Sequence, residues 1–314
     1  MRRIAHISDL HFGRVDHGVV ESLRDELNRH LPDLVIISGD FTQRAKRSEY
    51  MEARAFVDSL KAPWFAVPGN HDITFHHLYQ RFFDPWRRYR RFIHHEVEPV
   101  FQDEELFIVG INTARRMFLE LDWSHGRISG DQIARVERQL SEAPSHLFKI
   151  VVGHHPFLPP PYAPATRVVG HADRALASFE RHGVRLALAG HLHRGYLRVV
   201  DPAISSEPAA APSRDRDRAP DRPPLVVVQT ASATSTRLRD EPNAYQRICI
   251  ENGKAVISSR VWDGQSFVEM MEVNADEEKN LAAGTPEGTL RPETIETAGS
   301  EDLALSPENA ERGA

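Results

Sequence analysis

Short apolar runs alternate with amphipathic segments along most of the chain. Buried strands are predicted by the apolar runs at residues 4–7, 34–37, 64–67, 106–111, 150–152, 186–188 and 225–228. Between them, apolar residues recur at helical spacing, as at Val19, Leu23, Leu27 and Leu31, and again at Ile133, Val136 and Leu140. Strands that alternate with helices predict a layered α/β domain.

Turn and capping residues sharpen several element boundaries. Ser48 is the predicted N-cap of one helix, and Asp173 is the predicted cap of a short helix that ends near Phe179. Residues 129–132, Ser-Gly-Asp-Gln, have the pattern of a capping box. Asn252-Gly253 separates two strand-like runs, at 245–250 and 255–261, and therefore predicts a β-hairpin.

Composition divides the chain into one folded region and two polar segments. We expect a single domain over residues 1–270. Residues 201–224 are rich in Pro, Arg, Asp and Ala, which predicts a disordered insertion. Residues 271–314 are acidic and poor in aromatic residues, which predicts a disordered tail.

Polar side chains with metal-binding chemistry follow five of the predicted strands. In chain order they are Asp9 and His11, Asp40, Asn70 with His71 and Asp72, His154 with His155, and His191 with His193. Ligand crevices of α/β sheets form at the carboxyl ends of strands. We therefore expect the five segments to converge on one site.

The residue types at these strand ends suit a pair of divalent metal ions. Histidine and carboxylate ligands fit Fe, Mn or Zn, and a site without cysteine ligands is unlike a closed structural zinc site. A carboxylate such as that of Asp40 can bridge two ions. Two ions about 3.5–4 Å apart can hold a phosphoryl group and generate hydroxide for in-line attack.

The five segments together resemble the calcineurin-like metallophosphoesterase superfamily. They read Asp-Leu-His at 9–11, Gly-Asp at 39–40, Gly-Asn-His-Asp at 69–72, Gly-His-His-Pro at 153–156 and Gly-His-Leu-His at 190–193. All occur in the family's order, over about residues 1–265. Among subfamilies, the chain is most similar to the class III cyclic-nucleotide phosphodiesterase group, which also contains glycerophosphodiesterases. The resemblance implies a four-layer α/β/β/α sandwich.

The resemblance also implies a role for each matching residue. Asp40 would bridge the two ions, with a hydroxide between them as nucleophile, while His71 would stabilise the transition state or protonate the leaving oxygen. Asp72 would orient His71. The first metal would be held by Asp9, His11 and His193, and the second by Asn70, His154 and His191.

A dinuclear phosphodiesterase acting on a small phosphodiester is the function that the resemblance implies. One alternative is a nucleotide–lipid pyrophosphatase, but lipid-A pathway members of the superfamily usually have Arg where this chain has His71. Another is a DNA-repair nuclease, which normally has additional domains. A non-catalytic metal-binding scaffold is the third, and it is disfavoured because no expected ligand is missing.

Bulk properties bear on partners and location. The net charge of −6 provides no global attraction to nucleic acid, so we expect no stable nucleic-acid partner. No apolar stretch is long enough for a transmembrane segment. The single cysteine, Cys249, fits a reducing, cytoplasmic location. A homodimer remains open.

Several residues have two interpretations at this point. His155 would line the pocket or support a ligand, and His125 would lie in a turn or near the site. Asn112 and Arg115 would reach the substrate or make ordinary loop contacts. Residues 75–92 interleave arginines with aromatic residues, which fits a packed helix or an interface better than a nucleic-acid surface.

Overall fold

The computed structural model describes residues 1–74, 78–115, 125–200 and 223–275. The strands of its first sheet are β1 (Arg2–Ile7), β2 (Leu34–Ile37), β3 (Trp64–Ala66), β10 (Ala244–Glu251), β11 (Lys254–Trp262) and β12 (Phe267–Asn274). Their spatial order is β12-β11-β10-β1-β2-β3. The neighbours β1, β2 and β3 are parallel, whereas β10 to β12 form an antiparallel meander beside β1.

A second sheet is built mainly from the middle of the chain. Its strands are β4 (Val100–Gln102), β5 (Leu106–Gly110), β6 (Phe148–Val152), β7 (Val184–Ala189), β8 (Tyr196–Val199) and β9 (Val226–Gln229). Their order is β4-β5-β6-β7-β9-β8. The four central strands are parallel, and the two edge strands are antiparallel to their neighbours.

Helices cover the outer face of each sheet. They are α1 (His17–His30), α2 (Arg47–Asp58), α3 (Leu78–Phe83), α4 (Arg87–Phe92), α5 (Gly130–Glu142) and α6 (Ala172–Arg181), together with a 3₁₀ turn at Asn70–Asp72. Side chains of α1, α2 and α4 pack in one core against the first sheet, and those of α5 and α6 pack in another against the second.

A third core lies between the two sheets and accounts for the apolar runs. Successive residues of a strand point to opposite faces. Ile4 of β1 packs in the core between the sheets, whereas Ala5 and Ile7 pack in the core beneath the helices. Because both faces of these strands are buried, the strands are apolar throughout. The expected four-layer α/β/β/α sandwich is confirmed.

The structure corrects two predicted helix caps. α2 begins at Arg47 with Lys46 as its N-cap, so Ser48 lies inside the helix. α6 begins at Ala172 with His171 as its N-cap, in a left-handed conformation, so Asp173 lies in the first turn. In both cases the predicted residue is the second residue of the helix, where the helix dipole still favours a carboxylate such as that of Asp173.

The capping box at the start of α5 is confirmed. The Ser129 hydroxyl accepts a hydrogen bond from the Gln132 amide at 3.1 Å, and the Gln132 side chain accepts one from the Ser129 amide at 2.8 Å. We predict that Ser129→Ala lowers the free energy of unfolding by about 1 kcal/mol, because the Gln132 amide loses its acceptor. Urea unfolding measures the change. In the control Ser141→Ala, on the exposed face of the same helix, we expect less than about 0.5 kcal/mol, and equal losses would contradict the prediction.

Two expected segments lie largely outside the described residues. Residues 201–222 of the predicted insertion and 276–314 of the predicted tail are not described. Strand β12 continues to Asn274, past the expected domain end at residue 270. No helix in the described ranges has the length and apolar character that a bilayer crossing demands.

Candidate metal centre

The loops after β1 and β2 run side by side at one edge of the first sheet. The Asp9 amide donates to the Gly39 carbonyl at 3.1 Å, and the His11 amide donates to the Asp40 carbonyl at 2.9 Å. These hydrogen bonds continue the parallel pairing of the strands beyond their ends. The carboxylates of Asp9 and Asp40 are thereby held beside the same edge.

The loops after β6 and β7 approach this edge from the second sheet. The Gly190 amide donates to the His154 carbonyl at 2.9 Å. The His191 amide donates across the sandwich to Asp9 Oδ2 at 2.8 Å. The segments from both sheets therefore meet in one crevice at the carboxyl ends of the strands, as the sequence predicts.

Five of the residues in this crevice adopt left-handed backbone conformations. Their φ angles are 53° at Asp9, 52° at His11, 55° at Asp40, 76° at His191 and 57° at His193. Non-glycine residues rarely adopt positive φ, and each such residue costs on the order of 1 kcal/mol. Strained conformations cluster at functional sites, where the surrounding structure compensates for them.

One group of ligand atoms surrounds a common point near His11. The distance from His11 Nε2 is 3.1 Å to His193 Nε2 and 3.6 Å to both Asp9 Oδ1 and Asp40 Oδ2. Asp9 Oδ1 lies 3.3 Å from His193 Nε2. Atoms bound to one ion at about 2.0–2.2 Å, with tetrahedral or octahedral angles, lie about 2.8–3.6 Å apart. The geometry fits a divalent ion.

A second group lies on the other side of Asp40. Asp40 Oδ2 is 3.2 Å from His154 Nε2, which is 3.2 Å from Asn70 Oδ1. The same Asn70 oxygen is 3.1 Å from His191 Nδ1. These separations also fit ligands of one ion. Asp40 Oδ2 belongs to both groups, which is the arrangement that a bridging carboxylate requires.

The remaining oxygen of each carboxylate is already hydrogen-bonded to backbone. Asp40 Oδ1 accepts from the His71 amide at 2.8 Å, and Asp9 Oδ2 accepts from the His191 amide. Asp9 Oδ1 is buried and has no hydrogen-bond partner within the described ranges. A buried carboxylate oxygen without a donor is costly. Coordination of a cation would remove that cost, so the donor set fits metal ions.

Backbone carbonyls orient two of the histidine rings. His154 Nδ1 lies 2.7 Å from the Ser38 carbonyl, and His193 Nδ1 lies 2.8 Å from the Arg237 carbonyl. A carbonyl only accepts, so each ring has its proton on Nδ1. When the ring is neutral, its lone pair is therefore on Nε2 and faces the crevice, as metal binding requires.

Burial and neighbouring charges shift the pKa values in opposite directions across the site. Burial lowers the pKa of His191 to about 3. Burial alone would lower the pKa of His154, but the adjacent Asp40 carboxylate raises it to about 9. Burial alone would raise the pKa values of Asp9 and Asp40, but the surrounding histidines lower both. Both carboxylates are thus ionised at neutral pH, which favours cation binding.

His71 lies beside the two groups and faces the opening. Its ring contacts that of His11 edge-on, with centroids 4.8 Å apart, and its Nδ1 lies 2.8 Å from the Gln43 carbonyl. This carbonyl fixes the proton on Nδ1 and directs Nε2 into the crevice. A guanidinium nitrogen of Arg237 lies 3.4 Å from Nε2.

The expectation that Asp72 orients His71 is wrong. The Asp72 carboxylate accepts hydrogen bonds from the amides of Phe41, Thr42 and Gly69 at 2.9–3.3 Å. The 3₁₀ turn folds the side chain back over its own first residues, away from the His71 ring. Burial and the nearby Asp40 raise the pKa of Asp72 to about 7. Asp72 therefore joins the two loops that present Asp40 and Asn70.

His155 is buried beside the second group of ligand atoms. Its Nδ1 lies 2.7 Å from the Thr113 hydroxyl, and its ring contacts those of His154 and His191. The metal-compatible clusters of the described chain include His154 with His155 and His191. His155 thus supports two candidate ligands, which is one of its two expected roles.

Asn112 makes loop contacts, which is one of its two expected roles. The Asn112 amide donates to Glu98 at 3.1 Å, and its carbonyl accepts from Gln132 at 2.8 Å. In the segment expected to pack or form an interface, Arg81 is buried and donates to the Thr74 carbonyl, and Arg88 donates to the Ala45 carbonyl. These contacts agree with a packing role. Residues 75–77 of that segment are not described.

Three residues of the site were not identified from the sequence. Gln43 and Ser38 act through backbone carbonyls, which any residue type provides. Arg237 lies beyond the last recognised segment, in a loop after β9, and has no motif around it. Only the three-dimensional arrangement places its guanidinium beside His71.

Comparisons with known proteins agree with this geometry. The family model described as calcineurin-like phosphoesterase matches residues 2–195. The chain is 27% identical over 221 residues to the 3',5'-cyclic adenosine monophosphate phosphodiesterase CpdA of Escherichia coli K12, covering 61% of this chain and 70% of that protein. It is 27% identical over 173 residues to the probable glycerophosphodiester phosphodiesterase GpdQ of Arcobacter nitrofigilis, covering 52% and 57%.

A solved structure shares the fold at low sequence identity. A dimetal phosphatase from Danio rerio superposes with a TM-score of 0.58 at 12% identity, over 88% of this chain and 98% of that one. This likeness concerns the fold alone. Because the family model spans more than half of the chain and covers all five ligand-bearing segments, the chain belongs to the calcineurin-like phosphoesterase family and is a phosphoric ester hydrolase.

Proposed function

We propose that the chain is a phosphodiesterase that hydrolyses a small phosphodiester at a centre of two divalent ions. The supporting observation is that Asp40 Oδ2 lies within 3.6 Å of His11 Nε2 and 3.2 Å of His154 Nε2, as a bridging ligand would. In the proposal, Asp9, His11 and His193 complete the first ligand set, and Asn70, His154 and His191 complete the second. Fe, Mn and Zn all accept these ligands.

When bound, the two ions would polarise a phosphoryl oxygen and supply hydroxide at neutral pH. The residues of the chain do the rest. The Gln43 carbonyl holds the Nδ1 proton of His71, so a ring that is also protonated on Nε2 would deliver this second proton from Nε2 to the leaving oxygen and become neutral. The Asp40 carboxylate accepts from the His71 amide and thereby keeps the ring beside the shared ligand.

The preference for diesters rests on the relatives. The E. coli and Arcobacter relatives are named as phosphodiesterases, one for a cyclic nucleotide and one for glycerophosphodiesters. A leaving alkoxide needs a proton, and His71 provides a donor for it. A reducing, cytoplasmic location is part of the proposal and is supported by the single cysteine, Cys249. A homodimer and the lack of a stable nucleic-acid partner stay predictions.

Hydrolysis of bis(p-nitrophenyl) phosphate by the purified protein with Mn²⁺, Fe²⁺, Zn²⁺ or Co²⁺ tests the proposal. We expect turnover with at least one metal, and a panel of cyclic nucleotides, glycerophosphodiesters, phosphomonoesters and nucleotide–lipid pyrophosphates then identifies the substrate class. Absence of turnover with all four metals, at full metal occupancy, would overturn the proposal.

The His71→Ala variant tests the proposed proton donor. We expect kcat to fall by about 10²-fold, because general acid catalysis contributes about 10²–10⁴-fold. The metal content, measured by plasma mass spectrometry, should stay at the wild-type value, since His71 is not a proposed ligand. His95→Ala is the matched control, because the His95 side chain is 80% exposed. A His71→Ala enzyme with the kcat of the control would show that His71 has no role in catalysis.

A further inference from the structure

Arg237 places a positive charge at the mouth of the candidate metal centre. Its Nη1 lies 3.4 Å from His71 Nε2, and the side chain is half-buried. Among the described residues, no carboxylate lies within ion-pair distance of this guanidinium. The neighbouring arginine on the same side of the site, Arg194, is instead paired with Glu241 at 3.3 Å. Within the described ranges, therefore, no carboxylate neutralises the charge of Arg237.

The backbone of Arg237 is fixed to the candidate ligands. Its carbonyl accepts from His193 Nδ1 at 2.8 Å, and its amide donates to the Ser235 hydroxyl at 3.1 Å. The same loop is also bonded to the segment of Asp9, because the Ser232 hydroxyl donates to the Asp9 carbonyl at 2.7 Å. The guanidinium thus extends from a backbone whose position is tied to two of the proposed ligands.

We propose that Arg237 binds a non-bridging oxygen of the phosphoryl group of the substrate, next to His71. The inference rests on the proposed function and adds a phosphate-binding residue to that site. A guanidinium offers a planar pair of donors that matches phosphate oxygens. In the part of the chain that the structure describes, the Arg237 guanidinium has one polar contact, the 3.4 Å approach to His71, which is longer than a strong hydrogen bond. A phosphoryl oxygen between Arg237 and His71 replaces that contact with charge-assisted ones.

The charge of the phosphoryl group gives Arg237 a role in turnover as well as in binding. A phosphodiester has one negative charge. When hydroxide attacks, its negative charge moves onto the phosphoryl oxygens as the new P–O bond forms, and the bond to the leaving oxygen then breaks. A fixed cation beside those oxygens stabilises the more highly charged state more strongly. Arg237 therefore affects kcat in addition to KM.

The test compares Arg237→Ala, Arg237→Lys and the control Arg239→Ala, where Arg239 is an exposed residue of the same loop. The first measurement is the affinity of the Mn²⁺-loaded protein for inorganic phosphate, by calorimetry. We expect Arg237→Ala to weaken phosphate binding about 10-fold or more, and to lower kcat/KM for bis(p-nitrophenyl) phosphate by about 30–100-fold, as for the loss of one charged donor. Arg237→Lys keeps the charge without the planar pair, so its values should be intermediate.

Two further readouts separate phosphate binding from a structural role. Free guanidinium should restore part of the Arg237→Ala activity and leave the control unchanged. The metal content of Arg237→Ala should equal that of wild type, because the carbonyl that orients His193 is retained. Phosphate affinity and kcat/KM within about twofold of the control, or a loss of metal in Arg237→Ala, would overturn the inference.

Failure of the proposed function is distinguishable from failure of this inference. If the wild-type protein hydrolyses no phosphoester, the proposed function falls, whereas a phosphate affinity that still depends on Arg237 supports the anion site. If the wild type is active and Arg237→Ala equals the control in both assays, the function stands and the role of Arg237 is rejected.

Discussion

Replacing Asp40 with Asn is expected to lower kcat/KM for a phosphodiester by about 10³-fold or more, the loss of several kcal/mol of transition-state stabilisation. Asp40 Oδ2 is the ligand atom common to both groups, 3.6 Å from His11 Nε2 and 3.2 Å from His154 Nε2. An amide oxygen has nearly the same size and position but no net negative charge. It therefore cannot hold two cations in place of a bridging carboxylate.

Metal content is the second measurement on Asp40→Asn. We expect it to fall from two ions per chain to one or fewer, measured by plasma mass spectrometry after gel filtration. The oxygen that accepts from the His71 amide is retained in the variant, so circular dichroism should remain that of the folded protein. A loss of activity with both ions retained would show that Asp40 acts in some way other than by bridging.

The matched control is Asp58→Asn, the same chemical change at the surface. Asp58 is half-exposed and pairs with Arg54 on α2 at 2.6 Å. An exposed ion pair contributes about 0–1 kcal/mol to stability, and neither Asp58 nor Arg54 belongs to the ligand groups of the crevice. The control should therefore keep the wild-type kcat/KM and metal content. If Asp40→Asn and Asp58→Asn lost activity equally, the loss in Asp40→Asn would result from lower stability of the protein and not from loss of the bridging ligand.

The position of the candidate site was predictable because it depends on strand ends. Apolar runs such as 34–37 are continuous, since both faces of those strands are buried, so their ends are sharp in the sequence. Asp40 and Asn70 follow two such ends directly. Because the strands are parallel, their carboxyl ends lie at the same edge of the sheet, and these residues can be assigned to that edge from the sequence alone.

Other features depend on contacts that have no local pattern. The edge strands β4 and β8 are only three and four residues long, and most of their residues are partly or fully exposed, so no buried apolar run marks them and they were not predicted. The strand β12 was missed for a related reason, because its sequence places an acidic residue after each pair of apolar ones and therefore has neither a continuous apolar run nor strict alternation. Arg237 acquires its place beside His71 only when the loop after β9 folds against β1.

The wrong expectation for Asp72 has a similar origin. Its position directly after His71 suggested contact between the two side chains. Adjacent residues of a 3₁₀ turn, however, point in different directions. The Asp72 side chain turns back to the Gly69 amide at 2.9 Å and to the loop of Asp40, and the Gln43 carbonyl orients His71 instead. The position of Asp72 next to His71 therefore indicated the correct loop, but it did not indicate which groups the Asp72 carboxylate contacts.

The backbone strain of the crevice connects the fold with the proposed function. Five residues with positive φ each cost on the order of 1 kcal/mol, and the carboxylates among them are buried. The strain persists because loops from two sheets are hydrogen-bonded to one another. Positioning of the ligands therefore depends on close backbone approach between the sheets, and glycines at the points of closest approach are the sensitive positions.

Gly190→Ala is expected to disrupt the candidate centre from a position that provides no ligand. A Cβ at residue 190 would lie 2.6 Å from Asp9 Oδ2 and would overlap the Ser8 hydroxyl. Asp9 would have to shift and would lose its hydrogen bond from the His191 amide. We expect the affinity for metal to fall by about 10–100-fold. Misplacement of a catalytic group by about 1 Å lowers the reaction rate by about 10²-fold, so we expect the activity at limiting metal to fall by about 10³-fold.

The control for this variant is Gly130→Ala, at the first residue of α5. A Cβ there would meet no atom within 4 Å, and alanine favours a helix over glycine by about 1 kcal/mol. We therefore expect unchanged metal affinity and an equal or slightly higher melting temperature. Titration of the apo proteins with Mn²⁺, followed by hydrolysis at each metal concentration, compares the two. Equal Mn²⁺ affinities of Gly190→Ala and Gly130→Ala would contradict the prediction. They would show that the metal centre does not need the close approach of Gly190 to Asp9.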